Sequence, residues 1–149
     1  MSDPGAAPGR AVPRLGGILE TSLYVDDLDR SRAFYERVFG FESYFAEARM
    51  VALGVPGGGV LLLFRRGGSV RPSPAPGGMV PAHDGSGTQH VCFAIPHAAL
   101  DAWERHFAAC GVAIESRVSP WGFGGTSLYV RDPDGHSVEV ATPGLWPNH

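Results

Sequence analysis

The chain has 149 residues, 44% of them hydrophobic, and a formal net charge of −3, enough for one domain of ordinary size with a real core. Acidic and basic residues are interspersed, which excludes a basic face for nucleic acid and a charged block for a membrane surface, and no apolar run nears the roughly 20 residues that span a bilayer. The only cysteines, Cys92 and Cys110, suit reduced thiols and a cytoplasmic setting rather than a disulfide scaffold.

Residues 1–15 are rich in Gly, Pro and Ala. They lack the apolar core of a signal peptide and read as a flexible tail. A strand is expected over residues 18–25. Asp27 is placed to cap a helix with Leu28, Phe34, Tyr35, Val38 and Phe39 on its apolar face, and Gly40 is placed to end it. Short strands are expected at residues 41–45, 50–55 and 60–64, with Pro56 and the glycines at 57–59 turning the chain between the last two. Residues 66–88 hold many Gly, Pro and Ser residues without periodicity, so a long linking loop is expected there.

The same plan then recurs. A strand is expected at residues 90–95. A helix follows over about residues 98–109, with Leu100, Trp103 and Phe107 on one face and Gly111 after it. Strands are expected at 112–118, 126–130 and 137–142, the last two joined by the turn signal DPDG at 132–135. Each half reads β-α-β-β-β, which makes the chain α+β with two repeated modules. Glu20 and His90 open corresponding strands, 70 positions apart.

Side chains alternate across a strand. Glu20 shares a face with Ser22 and Tyr24, opposite the apolar Leu23 and Val25. His90 lies opposite Val91 and Phe93, and Glu139 opposite Val138 and Val140. All three candidates therefore fall on the face turned away from the helices, which a curved sheet from both halves would enclose. Two carboxylates and one imidazole form a ligand set suited to Mn, Fe, Co, Ni or Zn. Three protein ligands leave coordination positions open for water and substrate. The two carboxylates balance a 2+ ion, so such a centre would mainly orient and polarise substrate oxygens. Further candidates flank this set. His83 in the linker is either a base brought to the site or, with Asp84, a surface pair. Trp121 and Phe123 in WGFGG are either an aromatic wall or ordinary loop packing. Arg131 either meets an anionic substrate or stays at the surface beside its turn.

Three segments, LETSLYVDDLDRSRAFYERVFGF (19–41), GSGTQHVCFAI (85–95) and SLYVRDPDGHSVEVATPG (127–144), resemble the vicinal oxygen chelate superfamily of glyoxalases, bleomycin resistance proteins and extradiol dioxygenases. The resemblance implies one domain over residues 16–146. Its modules would span about 16–65 and 89–143, forming an open mixed barrel around a central cavity. It also implies metal ligands at Glu20, His90 and Glu139, a substrate pocket lined by Tyr129 and its neighbours on that face, Tyr24 among them, a small-molecule substrate and a homodimer. Two departures narrow the chemistry. Glu20 stands where extradiol dioxygenases carry a first His. Residues 60–64 (VLLLF) offer no ligand where glyoxalases and epimerases add a Glu or Gln. The expected function is a small divalent-metal-dependent enzyme of lyase, isomerase or transferase type acting on vicinal oxygens. The alternative is a metal-free module that binds a drug or metabolite.

Overall fold

The computed structural model describes Gly9 and residues 11–149. Of the expected tail, residues 1–8 and 10 lie outside the described residues. Residues 11–19 are exposed and form neither helix nor strand. Strand β1 (Glu20–Val25) alternates as its sequence predicts, with Leu23 and Val25 buried, Ser22 and Tyr24 half-buried and Glu20 exposed. Asp27 caps helix α1 (Leu28–Phe39), accepting from the Arg30 backbone N–H at 3.0 Å. The helix ends at Gly40, whose φ of 68° is a left-handed conformation that a side chain would penalise. All five expected apolar residues of α1 are buried, because their spacing lays them along one face.

Strands β2 (Glu42–Ala46), β3 (Met50–Gly54) and β4 (Val60–Arg65) complete a four-stranded mixed sheet in the order β1-β4-β3-β2. β4 runs parallel to β1, with Val60 beside Glu20 and Leu62 beside Ser22. The linker then departs from the expectation of an unstructured loop, for it contains a short hairpin of β5 (Ser73–Ala75) and β6 (Gly78–Val80). Pro76 and Gly77 form its tip, and Gly77 takes a φ of 85°. That is the Pro-Gly chemistry of a tight turn with a left-handed third position.

The second module follows with β7 (His90–Ala94), a 3₁₀ turn (His97–Ala99), α2 (Leu100–Ala109), β8 (Ser116–Val118), β9 (Ser127–Arg131) and β10 (Ser137–Ala141). Its sheet order is β7-β10-β9-β8, with β10 parallel to β7. Here one expected strand is corrected: the segment 112–118 is a strand only over Ser116–Val118. The Val112 N–H is taken by the Phe107 carbonyl at 2.9 Å, so the residues after the helix are spent on leaving it. The two modules share one topology. In register terms Leu62 holds in the first module the place of Glu139 in the second.

The helix-side faces of both sheets share one core, in which Leu23, Val25 and Leu63 are continuous with Val91, Val138 and Val140. Phe39 of α1 meets Phe93, Trp103 and Phe107 of the second module, with ring centroids 5.3, 5.6 and 6.0 Å apart. Polar groups reinforce the joint. The Tyr35 hydroxyl donates to Asp132 at 2.8 Å, and the Ser31 hydroxyl donates to Asp134 at 2.9 Å. His136, fully buried, accepts the Gln89 N–H at its Nδ1 (2.8 Å) and donates from Nε2 to the Tyr24 carbonyl (2.7 Å). The sheets do not close into a barrel. On their open faces Glu20, His90, Cys92 and Ala94 are exposed.

Candidate metal and substrate site

Glu139 lies mid-strand in β10 and is 4% exposed. Its position on the open face follows from alternation, since its neighbours Val138 and Val140 are in the core. His90 opens β7, and Cα pairing sets it beside Ser137, two residues before Glu139. The His90 Nδ1 lies 2.9 Å from the Ser137 carbonyl, and Nε2 lies 3.2 Å from Glu139 Oε2. A carbonyl only accepts, so Nδ1 carries the proton and Nε2 is the atom turned to the carboxylate. In the neutral ring that atom is a lone pair facing an anionic oxygen. Either a proton or a cation between the two resolves such a pairing. Ligand bonds of about 2.0–2.2 Å put adjacent ligand atoms of a divalent ion about 3.0–3.5 Å apart. The observed separation and the fixed tautomer both suit such an ion.

Glu20 is not part of this pair. Among the described residues, no three His, Cys, Asp or Glu side chains gather closely enough to hold an ion. The far end of β1 is tied to the segment before β7, the Tyr24 N–H donating to Gln89 Oε1 at 2.9 Å. The near end, from Leu19 to Thr21, instead borders a cavity of about 480 Å³ together with Cys92 to Ile95, over Phe39, Phe41 and Trp103. Glu20 thus sits four residues along β1 from the contact beside His90, about 13 Å at the usual strand rise.

The remaining candidates fall in three places. Tyr129 lies opposite Glu139 on β9, and its ring stacks at 6.2 Å on His90. Burial first and the Glu139 charge second raise its hydroxyl above the usual tyrosine range, so it stays a proton donor. Trp121 reaches the site through Ser127, its indole N–H donating to Ser127 Oγ at 2.8 Å, while Phe123 is 66% exposed. Arg131 is engaged elsewhere, its guanidinium on Glu115 at 2.6 and 3.3 Å and on the Gly135 carbonyl at 3.0 Å. Tyr24 belongs to the first module. The linker carries His83 onto the open face of that sheet, where Nδ1 meets the Tyr24 hydroxyl at 2.7 Å and the ring packs 4.4 Å from Phe64. Burial and then Asp84 raise the Tyr24 hydroxyl. Asp84 itself accepts the Gly67 N–H at 3.2 Å.

Two residues of the site escape a reading of the sequence. Ser127, fully buried on β9, donates to Glu139 Oε1. Cys92, beside Glu139 in the register, is exposed at this open face. Burial of its surroundings and then the Glu139 charge nonetheless push its thiol up to about 12. A single Ser or Cys in a strand carries no motif. The available signal was alternation, which puts Cys92 on the His90 face and Ser127 on the Tyr129 face.

Known proteins agree with this architecture. The family model of the Glyoxalase/Bleomycin resistance protein/Dioxygenase superfamily matches residues 17–140, and the chain belongs to that superfamily. A crystal structure of lactoylglutathione lyase from Agrobacterium tumefaciens is 37% identical, with a TM-score of 0.81, and the match covers 91% of this chain and 99% of that one. The genomically encoded fosfomycin resistance protein FosX from Listeria monocytogenes is 20% identical, with a TM-score of 0.64, over 89% of this chain and 97% of that one, a likeness of fold. No curated protein matches the sequence.

Proposed function

We propose that this protein is a divalent-metal-dependent enzyme of lyase, isomerase or transferase type that binds a small substrate through vicinal oxygens. The observation that carries this reading is the His90–Glu139 pair, with Nε2 of a tautomer-fixed imidazole facing a carboxylate oxygen at 3.2 Å. The likeness to a lactoylglutathione lyase at 37% identity supports the lyase class first. His90 and Glu139 hold the ion in one protomer, and Glu20 of a second copy supplies the third ligand. Two observations favour a homodimer: among the described residues no third ligand gathers beside the pair, and the approach to β1 exposes Leu15, Ile18 and Leu19 at 93%, 86% and 75%. Contiguous exposed apolar surface of that kind marks an interaction site.

When bound, the ion stabilises negative charge that develops on substrate oxygens. The chain's own residues bind and orient the substrate. Tyr129 offers a hydroxyl proton beside His90. Trp121 and Phe123 provide an apolar wall. Tyr24 and His83, a hydrogen-bonded pair on the first module, provide the proton-transfer groups of the completed site, with His83 as the base. Leu62 stands where a fourth ligand would be expected, so the centre keeps three protein ligands and open positions for substrate.

Metal analysis of protein purified without chelator, followed by titration with Mn(II), Co(II), Ni(II) and Zn(II), tests the proposal. We expect near-stoichiometric metal in the wild type and at least a tenfold loss of affinity in His90→Ala and in Glu139→Ala. Undiminished metal content in both variants would overturn it. The exposed aromatic pair Trp121 and Phe123 favours a second reading, a metal-free module that sequesters an aromatic ligand. Thermal shifts with and without metal separate the two, because a ligand that binds the native state raises the melting temperature. A shift from aromatic drugs alone would favour sequestration.

A further inference from the structure

The aromatic loop and the carboxylate of the proposed centre are joined through a hydroxyl. Trp121 Nε1 lies 2.8 Å from Ser127 Oγ, and Ser127 Oγ lies in turn against Glu139 Oε1. The direction of this chain is forced. An indole N–H can only donate, so Ser127 accepts from Trp121 with a lone pair, and its single proton is left for Glu139. Glu139 Oε1 is thereby occupied. Oε2 alone faces His90.

The loop that brings the indole to this place is firmly anchored. The Trp121 N–H donates to the Gly125 carbonyl at 2.8 Å, and the Phe123 and Gly125 N–H groups both donate to the Gly144 carbonyl at 3.2 Å. A Cβ on Gly144 would lie 2.5 Å from the Gly125 nitrogen and 2.7 Å from the Phe123 carbonyl oxygen, so only glycine permits this approach. The Ser119 and Thr126 hydroxyls close the base of the loop at 2.7 Å. The indole is therefore positioned before any ligand arrives, and its N–H is spent on Ser127 rather than left for a substrate.

We propose that Ser127, its hydroxyl aimed by the Trp121 indole, is the positioning residue that holds Glu139 in a one-oxygen ligating pose. This deepens the metal-centre reading above and rests on it for its functional consequence. A carboxylate free to rotate would swing between one-oxygen and two-oxygen binding and would pay the entropy of fixing one pose when the ion binds. The Trp121–Ser127 chain removes that freedom beforehand. Partners that orient a metal ligand in this way are typically worth about 10- to 100-fold in metal affinity.

The test has an arm in metal-free protein and an arm with metal. In ¹⁵N-labelled metal-free protein, the indole resonance that disappears in Trp121→Phe belongs to Trp121. We expect it to shift in Ser127→Ala and in Glu139→Gln, while the resonances of Trp103 and Trp146 stay in place. A Trp121 resonance indifferent to Glu139→Gln overturns the inference. In Mn(II) and Zn(II) titrations of the full chain, Ser127→Ala should raise Kd by about 10- to 100-fold and Ser127→Thr should restore it to within a few-fold. Equal affinity in Ser127→Ala and wild type also overturns the inference. Should Ser127→Ala fail to fold, Trp121→Phe, a change at a partly exposed ring, carries the same arm with a smaller rise in Kd. A wild type that binds neither metal overturns the metal-centre reading, and the indole arm alone then decides whether the chain of hydrogen bonds positions Glu139.

Discussion

At the residue scale, burial and then the charge of Glu139 act on the side chains around it, and Cys92 reports both. A thiol held at about 12 by burial and by Glu139 carries little thiolate near neutrality. Against an ordinary thiol of pKa about 8.5, and allowing for the higher intrinsic nucleophilicity of a more basic sulfur, alkylation at pH 8 should be roughly 10²-fold slower. Mass spectrometry of iodoacetamide-treated, chelator-stripped protein, with N-acetylcysteine as reference, measures this. Glu139→Gln should speed the reaction, and a rate equal to the reference in wild type would contradict the assignment. Tyr35 makes a second, independent case. Burial first, then Asp132 and its hydrogen bond, raise its phenol far above the usual range. The sign follows from linkage: the unfolded chain releases this proton near its ordinary value of about 10 while the folded chain keeps it. Stability from Tyr35 is therefore fully present below pH about 10 and lost as pH rises beyond it. Tyr35→Phe leaves Asp132 with the Asp134 and His136 N–H groups, so a cost of about 1–3 kcal/mol is expected at pH 8. The gap between wild type and variant should narrow between pH 9 and 11 in urea unfolding, and a constant gap would refute the linkage. Both residues also show what a sequence conceals at this scale. Alternation put Glu20, His90 and Glu139 alike on faces turned from the helices, and of these only His90 and Glu139 meet within the described chain. Tyr35 looked like one more apolar helix position, because its partner Asp132 lies 97 residues away.

At the scale of elements, the sequence was most explicit where a local rule acts alone. α1 is bounded by an Asp cap and a Gly stop, and both hold. The two parallel edge pairs, β1 with β4 and β7 with β10, follow from a repeat that places the same strand pattern at each end of a module. The hairpin within the linker was missed because three-residue strands are too short for a period of two to show. The Pro76–Gly77 turn was its only clear signal. The strand expected over 112–118 failed for a different reason: apolar Val112 and Ile114 suggested pairing, but Val112 is held back by the helix end. Phe39 is the element-level joint that no pattern announces, since the same ring serves its own helix and the second module. Removing it should cost about 3–5 kcal/mol. In Phe39→Ala the urea midpoint should fall in far-UV circular dichroism and in tryptophan emission alike, because one core spans both modules. Separate midpoints for the two signals would show that the modules unfold as independent units.

At the scale of the whole molecule, the repeat bears on the proposed sharing of a site between two copies. In the proposed centre each module carries part of the ligand set, Glu20 on the first and His90 with Glu139 on the second. Among the described residues, His90 and Glu20 are both exposed on the open faces. In the proposed two-fold dimer, the first module of one copy faces the second module of the other, and a symmetric pair of shared sites results. Such sharing has a consequence that a self-contained site lacks. A Glu20→Ala homodimer loses the third ligand at both sites, and a Glu139→Ala homodimer loses the carboxylate of the pair at both. In a dimer with one chain of each kind, both lesions fall in the same site and the other site is whole. Random exchange of equal amounts makes about half of the dimers mixed, each with one intact site of two, so about a quarter of the wild-type high-affinity capacity should return. The measurement is metal bound per chain after co-refolding, compared with each variant refolded alone. Recovery near that fraction supports ligands drawn from both copies. No recovery, with dimers present by light scattering, would place each complete site within a single chain and would require Glu20 to reach the His90–Glu139 pair by a movement of β1.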